Sequence, residues 1–172
     1  MTNRERFIRT LKCEKIGGRV PHFELEYYLT MEKFGRVHPQ HRLYSQWNQM
    51  SRTEQALHIK DMADILITFA KEYDHSAIHV KVNPYTFENA QWMLETIREK
   101  TGDDFYLMLY SDPTLAIPDG ESMMDFAVKM LEEPEELHEI SKRAMDYEIE
   151  KAAYLHGHGH LADGFLMASD YC

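Results

Sequence analysis

The residues best suited to chemistry are acidic and polar side chains at the ends of four apolar segments of this 172-residue chain. Glu26 lies near the end of the first segment, and Asp170 follows the last. Enclosed carboxylates shift each other's pKa, so such a pair can act as general acid and base or bind a cation. We therefore select Glu26 and Asp170 as candidate catalytic residues. The alternative is that both are solvated turn residues or helix caps.

Other polar residues lie at the same ends of these segments and are candidates for binding a substrate. They are Glu24, Lys81, Asn83, Ser111 and Tyr171. Each can also be explained as a turn residue or a cap, and Asp112, which precedes Pro113, is particularly typical of a turn. A shared binding site requires that the fold bring these segment ends together.

Alternating histidines and glycines form the string His156-Gly157-His158-Gly159-His160. Imidazoles two residues apart could chelate zinc, copper or nickel. The string lies between a long predicted helix and the last predicted strand, so it falls at the amino end of that strand. A glycine-rich helix stop with incidental histidines is the favoured interpretation, with adventitious metal binding as the alternative, and we assign no metal ligand.

The elements that must position these residues are predicted from the spacing of apolar side chains and from turn residues. Apolar runs rich in branched and aromatic residues indicate strands at residues 20–28, 76–82, 105–110 and 164–168. Helical spacing and capping residues indicate helices at residues 3–13, 51–73, 86–101, 122–131 and 134–157.

Strands that alternate with helices of about a dozen or more residues favour a parallel sheet, because a parallel connection must cross a face of the sheet. Four strands in 172 residues match the density of a (β/α)8 barrel, which typically has about 250 residues. The prediction is therefore an α/β fold: the N-terminal half of a TIM-type barrel, with about four parallel strands and covering helices, in which residues 1–172 are one partial domain. A doubly wound sheet is the alternative, but its glycine-rich turn follows the first strand, whereas Gly17-Gly18 precedes it.

Composition excludes several classes of function. Lys plus Arg number 19 against 29 Asp plus Glu, and the net charge of −10 disfavours binding to nucleic acid or anionic lipid. The apolar runs are far shorter than the ~20 residues of a membrane-spanning helix, and the first residues have no apolar signal segment. Only Cys13 and Cys172 are present, at opposite ends of the chain. We expect a soluble, cytoplasmic protein.

Three segments carry a family resemblance: the opening MTNRERFIRTLKCEKIGGRVPHFE, the segment MLEEPEELHEISKRA and the final LADGFLMASDYC. Together they resemble the N-terminal portion of the uroporphyrinogen decarboxylase superfamily, whose members are about twice as long. The resemblance implies a TIM-type barrel with a tetrapyrrole-related site at the carboxyl ends of its strands. The superfamily contains true decarboxylases and zinc-dependent methyltransferases that use methylated corrinoids.

The residues that match the decarboxylase motifs disfavour decarboxylation. True decarboxylases have an arginine-containing motif after strand one, where this chain has Phe23-Glu24-Leu25-Glu26-Tyr27-Tyr28. A substrate with eight carboxylates needs cationic donors, and glutamates would repel it. The family's catalytic Asp at the end of strand two is also missing from Val80-Lys81-Val82-Asn83.

The resemblance therefore favours a relative of the corrinoid-dependent methyltransferases. Their zinc ligands, a His-x-Cys pair and a later Cys, belong to strands beyond residue 172, so zinc and a corrinoid are implied by the resemblance only. We expect a chain of this length to be incomplete as a catalyst, with a corrinoid protein or a small molecule as partner. The alternatives are uroporphyrinogen III decarboxylase of heme biosynthesis, or a non-catalytic binding or assembly module that forms homo-oligomers through open sheet edges.

Overall fold

The computed structural model describes residues 1–25, 27–116, 118 and 120–167. This part of the chain contains six helices and three strands, with three helices before the first strand and helices between successive strands. Two short 3-10 turns, Pro39–His41 and Trp47–Gln49, lie in the connection before the third helix. The elements are α1 (Asn3–Leu11), α2 (Thr30–Phe34), α3 (Arg52–Glu72), β1 (Ala77–Val80), α4 (Phe87–Thr101), β2 (Tyr106–Tyr110), α5 (Ser122–Glu132), α6 (Pro134–Gly157) and β3 (Gly164–Leu166).

The three strands form one parallel sheet in the order β1-β2-β3, which confirms the predicted α/β class and the parallel pairing. Ile78 lies opposite Leu107, and Leu109 lies opposite Phe165. Each strand thus pairs with the next one in the chain, and the intervening helices make the crossovers that parallel pairing requires.

The main core lies between one face of this sheet and helices α3 and α4, which pack on each other and on β1. From the sheet it includes Ile78, Val80, Leu107 and Leu109, all buried. Side chains alternate across a strand, so His79 and Met108, which are register partners, point to the opposite face.

The prediction of a first strand at residues 20–28 is wrong for the described part of that segment, which contains no strand. The segment does run beside β1, since the Ser76 N–H donates a hydrogen bond to the carbonyl oxygen of His22 at 2.8 Å. Pro21 has no N–H with which to extend such a ladder. The segment has the amino-acid composition of a strand, but its described residues lack the repeated backbone hydrogen bonds that define one.

Helix α1 lies at the amino end of β2. The Arg4 N–H donates to the carbonyl oxygen of Asp104 at 2.9 Å, and the Phe7 ring lies 4.8 Å from the Tyr106 ring and 6.0 Å from the Phe23 ring. These contacts join α1 both to the segment that precedes β1 in the chain and to the start of β2.

Asp163, just before β3, is bound from three elements. Arg4 donates to one carboxylate oxygen at 2.9 and 2.6 Å, while Arg98 and the Leu107 N–H donate to the other at 2.6 and 2.9 Å. Burial alone would raise the pKa of Asp163, but these donors outweigh it and hold the pKa below its usual value. Asp163 therefore anchors β3 to β2, α1 and α4.

Gly164 is needed for close packing beside this anchor. A Cβ at this position would lie 2.4 Å from the hydroxyl of Tyr106, which donates to the Asp163 carbonyl oxygen at 2.9 Å. Because Gly164 has no side chain, β2 and β3 pack closely while the Tyr106 ring and its hydrogen bond stay between them.

Helix α5 lies outside the main core, because it has no fully buried residue. It packs on α6 and exposes several large apolar side chains, of which Met124 and Leu131 are the most exposed. Within the described residues, we find no helix with both the length and the apolar character needed to cross a membrane.

Candidate functional site

A pocket of about 540 Å³ opens at the carboxyl ends of β1 and β2. In parallel α/β proteins this is the edge at which ligands usually bind. Two of the residues that we predicted to bind substrate, Lys81 and Asn83, line it. The full lining is Gln40, Val80, Lys81, Val82, Asn83, Tyr85 and Tyr110.

Lys81 brings a positive charge to the wall of the pocket. Its Nζ donates a hydrogen bond to Gln40 Oε1 at 2.7 Å and lies 5.7 Å from the centre of the Tyr28 ring. Gln40 belongs to the connection between α2 and α3, so this contact joins that connection to the end of β1. An anionic or polar group entering the pocket would meet the ammonium group there.

Asn83 combines a position in the pocket with a structural bond. Its side-chain amide donates to the carbonyl oxygen of Arg42, and a cis peptide bond joins it to Pro84. Arg42 and Arg36 both form ion pairs with Asp61 on α3. Burial alone would raise the pKa of Asp61, but the two guanidinium groups hold it below its usual value.

Ser111 contacts a helix and does not line the pocket. Its hydroxyl donates to Glu148 on α6 at 2.7 Å, and Glu148 forms an ion pair with Lys151. Lys151, only 2% exposed, also donates to the Tyr110 carbonyl oxygen at 2.8 Å. These contacts give Ser111 a place in a buried polar cluster, Ser111–Glu148–Lys151, that fastens α6 to the end of β2.

The remaining predicted site residues lie elsewhere or outside the described residues. Glu24 is exposed and borders a separate cavity of about 20 Å³, next to His38, His75 and His79. That volume holds about one water molecule. Glu26, Asp170 and Tyr171 lie outside the described residues.

The structure adds a group of rings that the sequence did not single out. Tyr28 lies 5.3 Å from the His38 ring and 4.8 Å from the His41 ring, measured between ring centres, and the two imidazoles are 5.9 Å apart. His38 is buried, and its Nδ1 accepts a hydrogen bond from the Gln40 N–H at 3.2 Å, which places the proton of the neutral ring on Nε2. The signal in the sequence was the length of the connection at residues 29–50, since long connections often carry function.

Tyrosines complete the wall of the pocket. Tyr85 is partly exposed, and desolvation raises the pKa of its phenol further above neutral pH, so the hydroxyl is protonated and can donate a hydrogen bond. Tyr110 is about half-exposed, and its hydroxyl donates to Asp112 at 3.1 Å. The site thus offers an ammonium, an amide and phenols, a set suited to binding a polar organic molecule. His38 and His41 are not among the residues that line this pocket, and His38 borders the smaller cavity.

The described residues do not fit a zinc thiolate site. They contain no group of three or more His, Cys, Asp or Glu side chains that could hold a metal ion together. Cys13, the cysteine within the described range, is exposed just after α1.

Comparisons with family models, curated proteins and solved structures found no match.

Proposed function

We propose that this chain is the N-terminal portion of a uroporphyrinogen decarboxylase-like (β/α)8 barrel that is related to corrinoid-dependent methyl transfer, and that the pocket beside Lys81 holds part of its substrate. The single observation that carries the proposal is a pocket at the carboxyl ends of parallel strands that pair in chain order. The family in this proposal comes from the three segments that resemble the uroporphyrinogen decarboxylase superfamily, at residues 1–24, 130–144 and 161–172.

The strand order agrees with a barrel, and three strands paired in chain order also form one half of a doubly wound sheet. In a barrel each strand pairs with the next, whereas the doubly wound order reverses direction within the sheet. The order β1-β2-β3 has no reversal. Packing of α1 against the amino ends leaves the carboxyl ends for the ligand, as the barrel architecture requires.

The charges around the pocket support methyl transfer over decarboxylation. Among the described residues that line the pocket, Lys81 is the single cation. Arg36 and Arg42, in the neighbouring connection, are neutralised by Asp61. A substrate with eight carboxylates would require several cationic donors to offset its charge.

This chain's contribution to the reaction is binding and orientation. Lys81 would hold a negative or polar group of the substrate, and the Tyr85 hydroxyl would donate a hydrogen bond to it. Zinc and a corrinoid are implied by the resemblance only. Since the described residues do not fit a zinc site, we assign no step to the metal.

The first test is to read the coding DNA after codon 172. We expect an open frame that encodes a His-x-Cys pair and a later Cys. A stop codon directly after Cys172 would contradict the proposal.

The second test uses the protein encoded by the whole frame, with zinc present, and measures demethylation of a methylated corrinoid. Lys81→Met should raise KM about tenfold, because a charged hydrogen bond contributes about 1.5–3 kcal/mol. Lys60→Met, which removes an exposed lysine on α3, is the matched control and should leave KM unchanged. Decarboxylation of uroporphyrinogen, or no demethylation at all, would refute the methyl-transfer assignment.

A non-catalytic assembly module is the second candidate, favoured by one observation. Within the described residues β3 pairs with β2 alone, so its other edge has backbone groups available for another chain. Size-exclusion chromatography separates the candidates, because assembly through this edge requires an oligomer. A folded monomer at all concentrations would count against the module.

A further inference from the structure

Helix α5 turns apolar side chains toward solvent. Six of them form two adjacent rows with i, i+4, i+7 spacing, and all six are exposed. The rows are Met123, Ala127 and Met130, and Met124, Val128 and Leu131. Residues at this spacing share one face of a helix, and a surface helix ordinarily buries that face against the core. We call these six residues the outer face of α5.

Contacts with α6 hold the other side of α5. Lys129 Nζ donates a hydrogen bond to Glu136 Oε1 at 2.7 Å. The Phe126 ring is half-buried and lines a groove of about 260 Å³ together with Met130 and, from α6, the buried Leu137. Because the ion pair and the ring fix this side of the helix, the outer face stays exposed.

The outer face is well exposed and adaptable. The side chain of Met124 is 72% exposed and that of Leu131 is 85% exposed. A contiguous exposed apolar surface on a globular protein marks a place of contact with another molecule. Methionine side chains are flexible and polarisable, so Met123, Met124 and Met130 can adapt to the shape of an apolar partner.

The charge around the outer face is strongly negative. Residues 121–139 contain seven Asp and Glu side chains, all exposed, against a single Lys. This segment carries a formal charge of −6, which is more than half of the −10 of the whole chain. Asp125 and Glu132 lie one helical turn before and after Val128, and Glu121 lies three residues before Met124. Carboxylates therefore border the apolar rows directly.

We infer that the outer face of α5 is a docking surface for a basic amphipathic helix of another protein. Apolar side chains of that helix lie on the two rows and in the groove beside Met130, and its Lys or Arg side chains pair with the bordering carboxylates. This surface is separate from the pocket at Lys81, and the inference does not depend on the proposed function.

Charge complementarity selects this partner over others. A second copy of the chain would bring an equally acidic border against this one, and like charges that face each other across an interface weaken it. Anionic lipid and nucleic acid would be repelled for the same reason. A cationic helix is attracted instead, and salt should weaken its binding by screening the charges.

The test is fluorescence anisotropy with a labelled synthetic helix of about 18 residues that contains only leucine and lysine, with the leucines on one face. The 172-residue protein should bind one peptide per chain, and binding should weaken as salt is added. The peptide should also slow hydrogen exchange in α5 and leave exchange in α3 unchanged. Absence of saturable binding, or equal binding of a peptide with glutamate at every lysine position, would overturn the inference.

Paired substitutions locate the contact. Met124→Ser with Leu131→Ser should weaken peptide binding at least about tenfold, because both side chains lose their apolar contact with the leucines. The melting temperature should stay the same, since neither side chain is buried in the free protein. Leu43→Ser with Leu57→Ser, at exposed apolar positions elsewhere, is the matched control and should bind the peptide like the unaltered protein.

A second pair of variants tests the charge. Asp125→Asn with Glu132→Gln should weaken binding about threefold at low salt and reduce its salt dependence. Glu99→Gln with Glu150→Gln removes the same charge from exposed positions on α4 and α6 and should leave binding unchanged. Equal losses in this control and in the α5 pair would overturn the inference.

Other occupants of the outer face would give different results, each of which would overturn the inference. A dimer that Met124→Ser with Leu131→Ser converts to a monomer would identify a second copy of the chain. Tighter binding of phosphatidylglycerol vesicles than of the peptide would identify a lipid surface. Where the coding frame continues after codon 172, the longer protein should bind the peptide equally well, and loss of binding there would show that later residues cover α5.

Discussion

Individual buried polar residues fix the position of the last helix in this protein. Lys151 is almost fully buried, and its ammonium is balanced by Glu148 and by the Tyr110 carbonyl oxygen. The rings of Tyr85 and Phe165 lie 5.7 and 5.5 Å from its Nζ. A charge in such surroundings is tolerated only while its partners remain in place.

Replacing Lys151 by Met should therefore lower the free energy of unfolding by about 3 kcal/mol, because Glu148 would be left without its cation in a mostly buried place. Urea unfolding followed by circular dichroism measures the change. Adding Glu148→Gln to Lys151→Met should recover part of the loss. Lys142→Met, an exposed position on the same helix, is the control and should change stability by less than about 0.5 kcal/mol. Equal effects of the two lysine variants would contradict the role given to the cluster.

His75 should make the stability of the protein depend on pH. Burial, assisted by nearby His22 and Arg19, lowers its pKa from 6.5 to about 4. The unfolded chain therefore binds a proton that the folded chain does not, and stability falls as the pH drops from about 6.5 toward 4. The loss should reach up to about 3 kcal/mol.

Urea unfolding at a series of pH values tests this expectation. His75→Phe should flatten the slope of unfolding free energy between these pH values, whereas His138→Gln, at an exposed position on α6, should leave it unchanged. A slope that persists in His75→Phe would assign the pH dependence to other groups.

The sequence located part of the candidate site because strand ends can be found from apolar runs. Lys81 and Asn83 follow such a run directly and line the pocket. Ser111 follows another, but its partner Glu148 is 37 residues further along the chain, and strand patterns carry no information about that helix contact. His38 and His41 come together through turns in an irregular connection, which has no periodicity from which to predict it.

Among the elements, the sequence predicted the start of a helix correctly where a single capping residue determines that start. Ser51 and Glu54 form a capping box at the start of α3, and Thr86 caps α4, in agreement with the helices predicted at residues 51–73 and 86–101. Ser122 is a residue type that often caps helices, but it is the first residue of α5, which begins after Glu121 without a side-chain cap. Residues 20–28 were predicted wrongly because pairing along a strand depends on a neighbour that local composition does not reveal.

The cap of α3 should have a measurable effect on stability. Ser51→Ala removes the hydroxyl that accepts from the Glu54 N–H and should lower the free energy of unfolding by about 1 kcal/mol. Thr2→Ala removes the equivalent cap of α1, which has no fully buried residue, and should have a smaller effect. Thermal unfolding of both variants provides the measurement, and a larger loss in Thr2→Ala would contradict this ranking.

Over the whole molecule, stability is concentrated between the sheet and the helix pair α3–α4. Residues such as Ile59, Met93, Ile97 and Leu107 are fully buried there. Helix α5 contributes no fully buried side chain. The protein should therefore open in parts, because regions with few buried apolar contacts unfold at lower cost than the core.

Native-state hydrogen exchange measures this difference directly. We expect the amides of α3, α4 and β2 to exchange at rates near those of global unfolding, and the amides in the middle of α5 to exchange much faster. Comparable protection in α5 and α4 would show that α5 is held by contacts outside the described residues.

The close approach of Tyr106 to Gly164 limits which sequences this fold can accept. In a library randomised at codon 164 and selected for folding, survivors should be almost entirely glycine, because any side chain must displace a ring that also packs on Phe7. A parallel library at codon 17, where a Cβ would meet nothing within 4 Å, should return most amino acids. One small residue at the start of β3 would then restrict the sequences that are compatible with the packing of β3, the Tyr106 ring and α1.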